Sequence, residues 1–121
     1  MKQNIFSIRR VIAAFGYSLE GLKACYKSEA AFRQEVILFI IGSISLLFLP
    51  IRTEIELLML TTLFLMLIAE LVNCAVETTI DRISTEMHPL SKKAKDVGSA
   101  AVLLTLVLTA IVWAYGLSTL L

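Results

Sequence analysis

The stretch LLMLTTLFLMLIAELVNCAVETTID, residues 57–81, joins two chemistries that rarely share a helix. Its first half, 57–69, is an uninterrupted apolar run with only threonine to relieve it. Its second half carries Glu70, Asn73, Glu77 and Asp81, spaced 3, 4 and 4 apart. On an α-helix that spacing puts all four side chains on one face. The apolar half predicts a membrane-spanning helix, and the acidic row predicts that one end of it serves chemistry.

The rest of the chain agrees with a membrane setting. Of its 121 residues, 58% are hydrophobic and 17% charged, with a mean hydropathy of +0.84. Soluble domains have about 45–50% apolar and about 25% charged residues. The length suits one domain, 1–121. Two further apolar stretches flank the first: VILFIIGSISLLFLPI at 36–51 and VGSAAVLLTLVLTAIVWAYGLSTLL at 97–121. A helix needs about 20 residues to cross the hydrocarbon core. The expected spans are therefore about 30–50, 54–80 and 94–120.

Basic residues orient these spans, because loops rich in lysine and arginine stay in the cytoplasm. Lys2, Arg9, Arg10, Lys23, Lys27 and Arg33 come first, and Arg82, Lys92, Lys93 and Lys95 lie between the second and third spans. Only Arg52 lies between the first and second, and no basic residue follows Lys95. This predicts a cytoplasmic N-terminus and 82–96 loop, with the 50–54 turn and the C-terminus on the periplasmic side. Cys25 and Cys74 have no metal-type spacing, and a cytoplasmic Cys25 is not expected in a disulfide.

Ahead of the first span, Ile5, Ile8, Ile12, Phe15, Leu19, Leu22 and Tyr26 step by 3 and 4. Arg9, Arg10, Glu20, Lys23 and Lys27 fall off that stripe. The pattern predicts an amphipathic surface helix over about 4–28, suited to the headgroup region. Gly16 and Gly21 weaken it and allow a bend. Such a helix can serve as a simple anchor. Pro89 is expected to break helix continuity in the polar 82–96 segment.

Charged carboxylates inside a bilayer are costly, so they face protein, water or a ligand. Neighbouring carboxylates repel unless one is protonated or a cation sits among them. Mg²⁺ is commonly held by one or two carboxylates together with substrate phosphates. Glu77 is the better metal candidate, being nearer the basic loop, and Glu29 lies at matching depth before the first span. Glu70 lies about 10 Å deeper, by the rise per residue, where a desolvated carboxylate suits general-base chemistry. Lys92, Lys93, Lys95, Arg9 and Arg10 offer cations for phosphates. The chain has no GxxxxGK[ST] loop, no GxGxxG and no protein-kinase signature. Other readings stand beside these. Glu70 and Asn73 suit a satisfied polar patch between packed helices, His88 a loop residue beside a proline, and Trp113 and Tyr115 an aromatic belt.

The blocks EAAFRQE at 29–35, ELVNCAVETTIDRI at 70–83 and HPLSKKAKDVGSAAV at 88–102, with GYSLEGLKA at 16–24, resemble the prokaryotic diacylglycerol kinase family. The resemblance runs from about Arg10 to Trp113. It implies an all-α membrane protein: a surface helix and three transmembrane helices per subunit, bundled in a homotrimer whose active sites are shared between subunits at the cytoplasmic face of the inner membrane. It implies transfer of the γ-phosphoryl of ATP, with Mg²⁺, to diacylglycerol, giving phosphatidic acid. The expected partners are ATP, the membrane lipid, the bilayer and the other subunits, with no nucleic acid.

Position by position, the resemblance makes Glu70 the catalytic base with Asn73 beside it, and Glu29 and Glu77 the metal ligands. Arg10, Tyr17, Glu29, Glu77, Lys95 and Asp96 match ATP-contacting positions, with Glu86, Met87 and His88 near the adenosine end. Arg10, Ala31, Arg33, Glu35, Glu70, Ser99 and Trp113 match positions lining the lipid site. Ala13 and Glu20 stand where basic residues are common in the family, and Glu56 where a basic residue would meet lipid on the outer side. Pro89 in HPL resembles the branch that phosphorylates undecaprenol, whereas DRI at 81 and VGSAAV at 97 favour diacylglycerol. Outside the family, the competing readings are a small proton-coupled transporter and a non-catalytic membrane peptide. The transporter predicts carboxylates at the midplane. The peptide leaves Glu29, Glu77 and Lys95 unexplained together.

Overall fold

A computed structural model of the protein describes Ile5 and residues 7–121. Four helices follow one another: α1 (Ile8–Ser28), α2 (Ala30–Phe48), α3 (Thr53–Ile83) and α4 (Pro89–Ser118), with no strand among the described residues. The last three are long and apolar enough to cross a membrane. The expected surface helix and three spans are thus all present. Lys2 and the first residues of the expected 4–28 helix lie outside the described residues, and Ile5 is in a turn.

Helix α1 starts where Ser7 caps it, its Oγ accepting from the Arg10 N–H at 3.3 Å. Such a cap satisfies one of the first-turn donors that a helix leaves unpaired. Gly16 and Gly21 do not interrupt it. Most of its apolar stripe is left uncovered by the described residues: Ile8, Ile12 and Phe15 are at least 65% exposed, and Cys25 is its one buried residue. An uncovered stripe beside basic residues is what an interfacial helix presents to lipid.

One extended residue, Glu29, separates α1 from α2. The corner is tied by Arg33, whose Nη1 donates to the Tyr26 and Lys27 carbonyls at 2.8 and 3.0 Å. A guanidinium on the last carbonyls of a helix satisfies acceptors and favours the negative end of its dipole. Helix α2 stops at extended Leu49, just before Pro50. Helix α3 opens with Glu54 and Glu56 in its first turn, the signs that suit a helix N-terminus. Its 31 residues span about 46 Å, more than the roughly 30 Å hydrocarbon core, so its polar end projects into the interface.

Helix α4 begins at Pro89 rather than near 94. Proline needs no N–H at the first helical position, and its fixed φ suits the helix. His88 completes the start, its Nδ1 accepting from the Leu90 N–H at 3.1 Å. Pro89 therefore ends the loop by opening a helix.

Helices α3 and α4 pack against each other most extensively, with α2 laid on α3. Lipid tails are as apolar as the side chains, so close packing and internal hydrogen bonds hold such a bundle together. Away from the acidic row, Met59 is fully buried with Leu46, Ile51 and Val112. Trp113 Nε1 donates to the Met59 carbonyl at 3.1 Å and to Thr62 Oγ1 at 3.2 Å. Phe39 and Phe64 meet edge to face at 4.8 Å between ring centres.

Candidate active site

The acidic row lies on α3 as its spacing requires, and its members differ in solvent access. Glu70 is 4% and Asn73 7% exposed. Glu77 is half-buried and Asp81 exposed. The face thus runs from dry to wet over about 16 Å of helix. Asn73 Nδ2 donates to Glu77 Oε1 at 3.4 Å, while its Oδ1 is buried with no hydrogen-bond partner among the described residues.

Other elements converge on this face. Glu29, at the α1–α2 corner, turns its carboxyl toward Glu77. Burial, then the Glu77 carboxylate and more distantly Glu70, raise its pKa above the ordinary value, and Arg33 opposes the shift. Glu35 on α2 is buried within electrostatic reach of Glu70, and its Oε2 also has no partner. Beneath the corner, Cys25, Phe32 and Cys74 form a small core that docks α1 and α2 onto α3. Both cysteines are free thiols. Burial first, then contact with Cys74, push the Cys25 thiol up to about 12.

The wet end opens into a cavity of about 560 Å³ lined by Asp81, Glu86, Met87, His88, Lys95 and Asp96 among others. Lys95 Nζ pairs with Asp81 at 2.8 Å, and Lys92 with Asp96 at 2.6 Å. Lys95 also lies within electrostatic reach of Glu77.

Most of the expected site residues fall into three sets, while Arg33 is engaged at the α1–α2 corner. Glu29, Glu35, Glu70, Asn73 and Glu77 come together. Glu86, Met87, His88, Lys95 and Asp96 line the adjoining cavity. Arg10 and Tyr17 sit exposed on α1, Ala31 is exposed at the start of α2, and Ser99 is exposed on α4. Trp113 stands apart, about 21 Å along α4 from Ser99, in a second apolar cavity of about 410 Å³ with Leu38, Met66 and Leu106. Sequence reasoning missed the capping roles of Arg33 and His88 and the pairing of Lys95 with Asp81. A basic residue just past a helix end, and a histidine directly before proline, were the available signals.

The residues fit a hard divalent cation. Glu29 and Glu77 supply facing carboxylates whose mutual repulsion a cation would relieve. Among the described residues, no group of three or more acidic, histidine or cysteine side chains gathers tightly enough to hold a metal alone. That leaves ligand positions for phosphate oxygens and water, the usual way Mg²⁺ is bound.

Relatives match this chain over most of their own length. A diacylglycerol kinase from Haemophilus influenzae is 47% identical over 107 residues, 88% of this chain and 90% of that protein. One from Pseudomonas aeruginosa is 44% identical over 107 residues, 88% and 87%. One from Escherichia coli is 39% identical over 113 residues, 93% of each. The family model for prokaryotic diacylglycerol kinase matches residues 16–117. That match takes in the α1–α2 corner, the graded acidic face and the loop cavity, and the chain belongs to the prokaryotic diacylglycerol kinase family.

Proposed function

We propose that this protein phosphorylates diacylglycerol with ATP and Mg²⁺ at the cytoplasmic boundary of a bacterial inner membrane, acting as a homotrimer. The observation that carries the reading is the graded face of α3, dry at Glu70 and wet at Asp81. Phosphoryl transfer between a lipid alcohol and a soluble nucleotide needs a site that spans both solvents. Its catalysis is mostly positioning and charge neutralisation.

In this reading the loop cavity takes the nucleotide, with Lys95 placed for its phosphates and Glu86 to His88 toward the adenosine. Arg10 and Tyr17 on the surface helix close over the nucleotide and the lipid headgroup. Glu29 and Glu77 would hold Mg²⁺, which supplies charge neutralisation on the phosphates when bound. Glu70 takes the proton of the lipid hydroxyl as its oxygen bonds to the γ-phosphorus. The bond from that phosphorus to the ADP oxygen breaks, leaving phosphatidic acid and ADP. Asn73 holds Glu77 in place, and Glu35, Ala31, Arg33 and Ser99 line the approach of the lipid. The basic N-terminal segment and the 82–96 loop face the cytoplasm, with the C-terminus in the periplasm.

Undecaprenol is the alternative acceptor. The feature that suggested it, Pro89, has a local explanation at the first position of α4, so the helix start alone accounts for it. The test supplies each lipid in mixed micelles with labelled ATP and Mg²⁺. Diacylglycerol should be the better acceptor, and faster turnover of undecaprenol overturns the choice. Glu70→Gln should lower turnover by about 10²–10⁴-fold while the trimer persists in cross-linking. Wild-type turnover in that variant removes Glu70 from the mechanism.

A further inference from the structure

All five glycines of the chain lie in helices, where glycine is a weaker former than alanine. Each therefore invites a steric reason. At Gly16 and Gly21 an added Cβ would meet nothing within 4 Å. At Gly42 it would touch Leu63 Cδ1 at 3.0 Å and Trp113 Cη2 at 3.1 Å, the far ends of long side chains. At Gly98 it would overlap Asn73 Oδ1 outright and approach Asn73 Cγ at 3.3 Å. The amide of Asn73 occupies the place where a side chain at 98 would begin.

That amide has little freedom to retreat. Its residue is 7% exposed and its Nδ2 is engaged with Glu77 Oε1. The side chain has two rotatable bonds, and a rotation that cleared a methyl at 98 would carry Nδ2 off the carboxylate. Close approach of a helix backbone through a small residue is a common packing device in membranes. Here the group received is polar and belongs to the acidic row.

We infer that Gly98 is a positioning residue, whose missing Cβ seats the Asn73 amide in the α3–α4 seam so that Nδ2 is aimed at Glu77. Its effect on nucleotide binding rests on the kinase reading above, but the coupling between positions 98 and 73 does not. Gly116 is the matched control. It lies at the other end of the same seam, where an added Cβ would overlap Met59 Sδ and lie 2.8 Å from Met59 Cε, remote from the acidic row.

The experiment uses the full chain in detergent micelles and compares Gly98→Ala, Asn73→Ala, the double variant and Gly116→Ala. The readouts are unfolding temperature and binding of Mn²⁺–ATP by electron paramagnetic resonance. Gly98→Ala should weaken Mn²⁺–ATP by about tenfold, in keeping with the sensitivity of such sites to small displacements. Added to Asn73→Ala, the same change should cost nothing further, in binding or in unfolding temperature. Gly116→Ala should lower the unfolding temperature and leave Mn²⁺–ATP affinity within about twofold. The inference is overturned if Gly98→Ala binds like wild type, if its effects add in full to those of Asn73→Ala, or if Gly116→Ala weakens binding equally. Should Gly98→Ala not fold, recovery of folding in the double variant supports the inference, and its failure overturns it. If wild type binds Mn²⁺–ATP but turns over no lipid, the kinase reading fails while the 98–73 coupling stands.

Discussion

The two ends of the α3–α4 seam use the same steric device for opposite purposes. At one end Gly116 admits the thioether of Met59, and at the other Gly98 admits the amide of Asn73. Around Met59 the polar groups find partners within the chain: Trp113 Nε1 on the Met59 carbonyl and Thr62 Oγ1, and Thr62 on the Met59 carbonyl at 2.6 Å. Around Asn73 fewer do, although Asn73 Nδ2 reaches Glu77 Oε1. Among the described residues, Glu35 Oε2 and Asn73 Oδ1 are buried without partners, whereas the Met59 end leaves one such atom, Ser43 Oγ, in a small cavity with Leu46 and Leu60. Native proteins pair nearly all buried polar groups, and exceptions call for a ligand, ion or water. The Met59 end leaves a single hydroxyl unpaired, whereas the acidic end leaves a carboxyl oxygen and an amide oxygen side by side with the proposed site.

The largest effect that tests this division is at Glu77. Replacing it with leucine removes the acceptor of Asn73 Nδ2 and one of the facing carboxylates. Mg²⁺–ATP affinity should fall about a hundredfold or more, read by isothermal titration, with little change in unfolding temperature. A large loss of stability with affinity retained would make this end structural too.

The converse change is Met59→Ala. Met59 is fully buried, and truncating a buried methionine costs about 2–5 kcal/mol in soluble cores. In a bilayer the transfer part shrinks, because lipid is as apolar as the core, which leaves the lower end of that range. Unfolding should shift by about 2 kcal/mol in a denaturant titration, with the Mg²⁺ dependence of turnover unmoved. A changed Mg²⁺ dependence would show that the two ends communicate.

How much of this was legible before the structure differs between the ends in the same way. The spans followed from apolar length, and the acidic face from spacing alone, because helix periodicity is a local property. The α1 stripe was equally plain in Ile8, Ile12, Phe15 and Leu19. Pro89 on sequence alone predicts a break, because proline's missing N–H is harmful inside a helix. It is harmless at the first position, and only the His88 cap shows which case applies. The gradient of burial from Glu70 to Asp81, and the fit of Asn73 into Gly98, depend on how α4 lies against α3. That is a contact across the bundle, which no spacing encodes.

Between the two ends in expected size stands the docking of α1 at the Cys25, Phe32 and Cys74 core. The Cys25 thiol is raised from 9.0 to about 12, by burial and then by Cys74. A raised thiol pKa favours the neutral, folded form. Its contribution is fully present below pH 9 and is lost as pH climbs from 9 toward about 12. Wild type should therefore lose stability across that window more steeply than Cys25→Ala, measured by unfolding at successive pH values. Parallel slopes would mean that the thiol is solvated and the corner loosely packed.

The smallest effect lies at the wet extreme of the acidic face. Lys95 and Asp81 pair at 2.8 Å, but their side chains are 42% and 61% exposed. Exposed pairs contribute little to stability and are screened by salt. Asp81→Asn should therefore barely move the unfolding temperature. Its consequence should appear in nucleotide affinity, because Lys95 is released beside the loop cavity and toward Glu77. If Asp81 holds Lys95 ready for phosphate, KM for ATP rises. If the two compete, KM falls, because the ammonium no longer has to leave a carboxylate to meet the nucleotide. The cavity favours the second outcome, since both partners line it and the pair spans its wall. A KM lowered about two- to threefold at low salt, and converging on wild type at high salt, is the expected pattern for an exposed charge. A raised KM would instead make Asp81 part of the phosphate site, extending the chemically active end of α3 by one more turn.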